Sequence, residues 1–308
     1  MVFYLKFSFK SLSSTSIIKP FTMNAIPVEF FEHIISNMDN TVFLDQAATL
    51  EGRFGACAQK YMEAGYYQYL HILDGQFESS HALRRDFSKI DREMSLCDKY
   101  QLEHIVDYGT TENAIPEFTK QISNILKSIR GRMVLDVRSP LMNSKWTEMF
   151  SELSALVTVN FRVHFTSEIS DLVHRLLERR QIQRFYLTLN NYEKQEIGLM
   201  CQFMLQKQFR FFAMDHITAE FYQKLREMWI ENAAAMAGKR VFQKGYTKLH
   251  DDNTEIELFE QQKVFFYGER QEKRGLLLAY LLHNTDKEEN GLEELLRSAT
   301  HETHLVFA

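Results

Sequence analysis

Glycine and proline are scarce in this 308-residue chain, at 12 and 4 residues. That scarcity opposes disorder and favours long regular elements. Cysteine is scarcer still: Cys57, Cys97 and Cys201 stand apart, without metal or redox spacing. Three scattered cysteines fit free thiols in a reducing compartment better than a disulfide framework. A basic excess is missing too, with a formal net charge of −5 and a sequence pI of about 6.1. The chain therefore lacks the overall cationic field of a nucleic-acid binder. No uncharged apolar run reaches the roughly 20 residues of a membrane-spanning helix. The nucleotide-binding glycine motifs and the G-x-S-x-G nucleophile elbow are also absent. The expectation is a protein without cofactor or metal, with no nucleic-acid or membrane partner, placed in cytoplasm or nucleus.

Residues 1–22 stand apart from the rest. They carry Lys6, Lys10 and Lys19, several serines and no acid. Mitochondrial transit peptides share this bias but use arginine, and there is none here. The segment reads as a disordered leader, or as residues ahead of a start at Met23; mitochondrial targeting is the alternative.

What is abundant is apolar: 45% of residues are hydrophobic and 25 are Phe. From about residue 115 two periodicities alternate. Ile169, Leu172, Val173, Leu176 and Leu177 mark one helix face, and Ile197, Met200, Cys201, Met204 and Leu205 repeat it. Leu225, Met228 and Trp229 begin it again. Thr166 or Ser167 would cap a helix start, with Glu168 in its first turn. Between the helices lie short strands over 132–137, 157–165, 184–189 and 209–214. Met133, Val159, Phe185 and Phe211 recur at a spacing of 26, as do Leu135, Phe161, Leu187 and Ala213. Strand–helix–strand at this spacing implies parallel neighbours. Strands are also expected over 66–73 and 102–108.

The fold class is therefore α/β. Asp136, Asn160, Arg162, Tyr186, Thr188 and Arg210 would fall on a second, wet sheet face, which favours a strand–helix solenoid of degenerate leucine-rich-repeat type over a doubly wound sheet. The expected organisation is a leader over 1–22, a helical head over 23–62, a repeat body over 63–240 and an antiparallel strand cap over 241–308. The wet face is the candidate target-binding surface, lined by Asn160, Arg162, Tyr186, Thr188, Arg210 and Phe212; the alternative is a merely solvated face.

Candidates for chemistry are few. Gly52 and Gly55 in "GRFG" read as a helix-ending turn rather than a phosphate cradle. His301 and His304 in "HETH" could share a helix face and hold a metal, but no third ligand is indicated and the run reads as a solvated C-terminal segment. His250, Asp251 and Asp252 form either a surface turn or an acid–base group. Cys97 has Asp98 and Lys99 beside it, with His104 further on, and nothing joins them. No catalytic residue is assigned, and an unrecognised α/β enzyme remains the rival reading.

The head offers the most specific pattern. In "IPVEFFEHIISNM", Pro27 opens a helix, Glu29 suits its first turn, and Phe30, Phe31, Ile34, Ile35 and Met38 make an apolar stripe. About 35 residues of short helices cannot form a large core alone, so they must pack on the body or a partner. Pro27, Glu29, Phe30, Phe31, Ile34, Ile35 and Met38 resemble the opening of an F-box, with Ile26 in place of its Leu. The basic-x-Trp ending of that module is reduced to Arg53-Phe54. The whole layout resembles the rapidly diverging F-box-like families of nematodes. That resemblance implies a non-enzymatic adaptor, the substrate-recruiting subunit of an SCF-type ubiquitin ligase. Pro27, Phe30, Phe31, Ile34, Ile35 and Met38 would contact the ligase linker protein and the body a target protein. The alternative is a repeat-type binding protein without a ligase link.

Overall fold

The computed structural model describes residues 27–36, 41–86, 88–90, 100–111, 115–129, 131–189, 194–249, 257–259, 264–271, 274–282, 294, 296–297 and 300–307. Residues 1–22, Met38, Cys97 and the His250-Asp251-Asp252 group lie outside them. The chain divides into two compact units, residues 1–68 with 81–102 and residues 69–80 with 103–308.

The first unit holds α1 (Val28–Ser36), α2 (Thr41–Ala48) and α3 (Gly52–Ala64). Phe31 and Ile35, one helical turn apart on α1, meet Leu44 and Ala47 of α2 and Cys57, Ala58 and Tyr61 of α3 in a small core. Phe54 packs its ring edge-on to Phe31 at 5.6 Å, and Tyr61 meets Tyr100 at 5.2 Å. "GRFG" begins α3 rather than ending a helix. A Cβ on Gly55 would lie 1.7 Å from the Leu50 carbonyl oxygen, so only glycine admits this close approach.

The second unit is a mixed α/β sheet structure. Its strands begin with residues 69–80 of the hairpin formed by β1 (Tyr66–Leu73) and β2 (Gln76–Arg84) and continue with β3 (Gln101–Gly109) from residue 103. Asp74 and Gly75 turn the hairpin with φ of 49° and 76°, the positive pair that a two-residue turn between twisted strands needs. Then α4 (Lys120–Ser128), β4 (Met133–Val137), α5 (Ser144–Glu152), β5 (Leu156–Phe161), α6 (Ser167–Arg179), β6 (Arg184–Leu187), α7 (Lys194–Met204), β7 (Phe211–Met214), α8 (Ala219–Met236) and β8 (Arg240–Lys244) alternate. Side chains set the helix starts: Thr119, Asn143, Thr166 and Thr218 each accept a backbone N–H of the first turn. Glu168 sits in the first turn of α6, and Arg180 ends that helix with φ of 53°.

From β3 to β8 each strand pairs in parallel with the next in sequence. The order over these strands contains no reversal of the kind that defines a doubly wound sheet. Alternate residues of these strands and the apolar stripes of α4 to α8 share one core, so the helices cover one face. Phe161, Phe185 and Phe212 lie ring to ring through it, at 5.4 and 5.8 Å. Trp146 is fully buried and donates its indole N–H to the Pro116 carbonyl at 3.0 Å. The expected stripe on α6 is buried throughout, while Leu205 just beyond α7 is exposed. After β8 the sheet continues antiparallel through β12 (Thr300–Phe307), β11 (Arg274–Leu282), β10 (Val264–Gln271) and β9 (Glu257–Phe259).

Three expectations change in this unit. Phe212, expected on the wet face, is buried against Phe185 and Phe221, and Met214 is buried too. The register shows why: Val159 pairs with Phe185, 26 residues on, but Phe185 pairs with Phe212, after 27. One extra residue between β6 and β7 inverts every side chain of β7, because the strand period is two. "HETH" lies in β12, not on a helix, and a register shift between Thr300 and Glu302 interrupts the strand there. Strands β2 and β8 have no counterpart in the sequence expectation.

At the end of α7, Lys239 is 1% exposed and donates to the carbonyls of Met204 and Gln206 at 2.6 and 2.7 Å. The Met204 carbonyl is one that the helix end leaves without an intrahelical partner, while the Gln206 carbonyl also accepts the Phe209 N–H at 3.1 Å. Burial, and secondarily the charge of Arg210, pushes the Lys239 amine down to about 8.

Two measurements check this packing. In chemical denaturation Phe212→Ala should cost about 3–5 kcal/mol, a large core truncation, whereas Phe211→Ala should cost only about 1 kcal/mol, an aromatic contact. For Lys239, the native state sheds its proton near pH 8 while the unfolded chain keeps it to about 10.5. The unfolded state then binds more protons, so stability rises with pH across that window. Lys239→Met should remove that rise from the wild-type curve.

Candidate functional site on the open sheet face

The face that α4 to α8 leave open carries the chemistry of the second unit, and register places its residues. Asp107, Asp136, Asn160 and Tyr186 are successive cross-strand neighbours on β3 to β6. Ala213 on β7, Phe242 on β8 and His304 on β12 continue the same row. The row is polar at one end and aromatic at the other.

At the polar end two carboxylates lie side by side. Asp107 is 8% and Asp136 5% exposed, so their charges need partners close by. Arg138 bridges them, with Nε 2.9 Å from Asp107 Oδ1 and Nη2 3.1 Å from Asp136 Oδ2. Arg162 Nε approaches Asp136 Oδ1 at 2.9 Å, and Asn160 donates to the same oxygen at 3.0 Å. His71 Nδ1 lies 3.2 Å from Asp107 Oδ2 and its ring stacks on Tyr69. Burial raises the Asp107 carboxyl above its ordinary value against the pull of Arg138, and the Asp136 charge adds to the rise. The hydrogen bond to Asp136 holds Arg162 further toward its charged form. Both arginine side chains remain about half exposed, at 50% and 45%. A planar guanidinium fixed on one side keeps donors free for a partner on the other.

Next to this group Arg184 donates to Thr158 Oγ1 at 2.9 Å and pairs with Glu103, whose carboxylate also lies 3.8 Å from Arg132. Thr188 donates to Asn160 Oδ1 at 3.3 Å. At the aromatic end Tyr186, Phe211, Phe242 and His304 form a file of rings with centroids 5.6, 6.1 and 5.0 Å apart. Tyr186, Phe211 and Phe242 are partly exposed and lie outside the apolar core.

Of the residues expected to bind a target, Asn160, Arg162, Tyr186 and Thr188 share this face. Arg210 is exposed just before β7, and Phe212 is in the core. Phe211, Phe242 and His304 take the place expected of Phe212. The aromatic of "RVFQK" was there to be found, had that run been read as a strand. In the head, Pro27 is exposed, Phe30 is 51% exposed with Val28 beside it, and Ile34 is partly buried. Phe31 and Ile35 are taken up by the head's own core.

Other chemistry finds little support. Among the described residues no group of three His, Cys, Asp or Glu side chains could hold a metal. Cys201 is buried, which pushes its thiol up to about 11 and away from the thiolate. No described helix is long and apolar enough to cross a membrane. No family model, curated protein or solved structure matches the chain.

Replacing Asp136 by Asn removes an acceptor shared by two arginines and should cost about 1–3 kcal/mol, the range for hydrogen bonds to charged groups. It also removes a negative charge beside Asp107, so the Asp107 carboxyl should titrate lower in an NMR pH series.

Proposed function

We infer that the chain is a non-enzymatic protein-interaction adaptor: an F-box-like helical head followed by a degenerate leucine-rich-repeat-like solenoid that binds a target protein on its open sheet face. The observation that carries this reading is the sheet face that α4 to α8 leave open. Rings and half-exposed guanidinium groups stand together there, the side chains that dominate protein interfaces. The monotonic parallel order with helices on one side is what stacked repeats produce. In the head, Phe30 and Val28 offer an apolar contact on α1 for the linker protein of an SCF-type ubiquitin ligase. Target recruitment to that ligase would then be the function of the whole chain.

A second reading, a binding protein without a ligase link, is favoured by one observation. Phe31 and Ile35, two of the F-box-like positions, serve the head's own core. A pull-down with purified ligase linker protein separates the two. The adaptor reading expects capture by the wild type and its loss in Phe30→Asp, with the melting curve unchanged because Phe30 is exposed. A folded wild type that captures nothing overturns the ligase link.

A further inference from the structure

Ala213 is the smallest side chain in the aromatic half of the open face. Its register neighbours are Tyr186 on β6 and Phe242 on β8. Phe211, two residues earlier on the same face of β7, reaches both rings, at 5.6 and 6.1 Å. A methyl between rings makes a floor lower than its rim, and the rings shade it to 6% exposure. An apolar side chain laid there would bury ring faces on three sides, the setting of an interface hot spot.

The charge around this notch is uneven. At the N-terminal ends of β6, β7 and β8 stand Arg184, Arg210 and Arg240, brought together by Arg210 N–H donating to Gln183 at 2.8 Å and Arg240 N–H to Arg210 at 3.0 Å. Arg184 is committed to Glu103. Arg210 and Arg240 make no ion pair among the described residues, and buried Lys239 lies close enough to Arg210 to feel its charge. At the other end of β7 and β8, just past the paired Met214 and Gln243, come Asp215 and Lys244, and Glu302 on β12 pairs with Lys244. The field is therefore cationic on one side of the notch and mixed on the other, on a chain whose net charge is −5.

We propose that the notch over Ala213 holds an apolar anchor residue of a target segment whose acidic residues, on one side of the anchor, reach Arg210 and Arg240. This rests on the reading of the open face as the target surface and specifies its partner as a locally acidic peptide. A nucleic acid fits the same rings less well. Its charge is uniform, so a strand crossing the face would carry phosphates onto Asp215 and Glu302.

Fluorescence anisotropy with labelled synthetic peptides tests it on the full chain. The peptide EEDFSGS should bind, while EEDASGS, lacking the anchor, and KKKFSGS, with reversed charge, should bind at least about tenfold more weakly, the loss of one hot-spot contact. Ala213→Leu, which fills the notch, should weaken EEDFSGS by a similar factor. The double variant Arg210→Ala with Arg240→Ala should do the same, and carries the test if the leucine disturbs folding. No binding of EEDFSGS at millimolar concentration, equal binding of KKKFSGS, or indifference to both variants overturns the proposal. Displacement of EEDFSGS by a ten-residue oligouridine at lower concentration than by unlabelled peptide also overturns it, in favour of a single-stranded nucleic acid. Linker capture by the head is a separate readout. Peptide binding without linker capture retains this site and removes the ligase link; linker capture without peptide binding removes this site alone.

Discussion

Between β4 and β8 every strand sends successive side chains to opposite sides of the sheet, and the helices α4 to α8 cover only one of those sides. A single strand–helix unit of this kind cannot close a core. Phe161, Phe185 and Phe212 each need the ring on the next strand, and the stripes of α6, α7 and α8 each need the helix beside them. Stability thus depends on stacking the units, and stacking leaves one broad face that α4 to α8 do not cover. The site is the unavoidable other side of the core.

That face solves two physical problems. Carboxylates on adjacent strands, Asp107 and Asp136, would repel one another under partial burial. Arg138 and Arg162 lie against them and keep their outer edges in solvent. The face also exposes apolar rings, which a solvated sheet avoids unless something covers them. Stacking Tyr186, Phe211, Phe242 and His304 on one another reduces the exposed area without removing it. Charge is satisfied within the face at the β3–β5 end, whereas near β7 and β8 Arg210 and Arg240 have no ion pair among the described residues, so the two ends present different surfaces.

The head follows another logic. Three short helices have too few apolar residues to fill a core and also present a wide apolar stripe. Phe31 and Ile35 go inside, and Phe30 and Val28 on neighbouring positions stay out. A stripe that reads as one surface in the sequence is divided between self-packing and exposure. Gly55 shows how tight that packing is, since its hydrogen points at the Leu50 carbonyl just past α2.

Much of the body could be read from residue order alone. Helix stripes at a spacing of 28 and caps such as Thr166 arise from local periodicity and local hydrogen bonding, and they recur in the structure, whereas the spacing of 26 holds only where β5 pairs with β6: Leu135 pairs with Val159 after 24 residues and Phe185 with Phe212 after 27. Asn160, Arg162, Tyr186 and Thr188 were legible as a shared face for the same reason. Phe212 was not, because one additional residue between β6 and β7 reverses the parity of β7, and connection length has no periodic signature. Phe242 and His304 escaped because β8 and β12 are joined only through pairing across a long stretch of intervening chain, the kind of contact that pattern within a segment does not encode. The sequence by itself therefore determined the elements, the alternation and the existence of a polar second face. Tertiary pairing alone decided which rings stand beside Ala213 and which carboxylates lie beside Arg138, because strand register is set between segments and not within them.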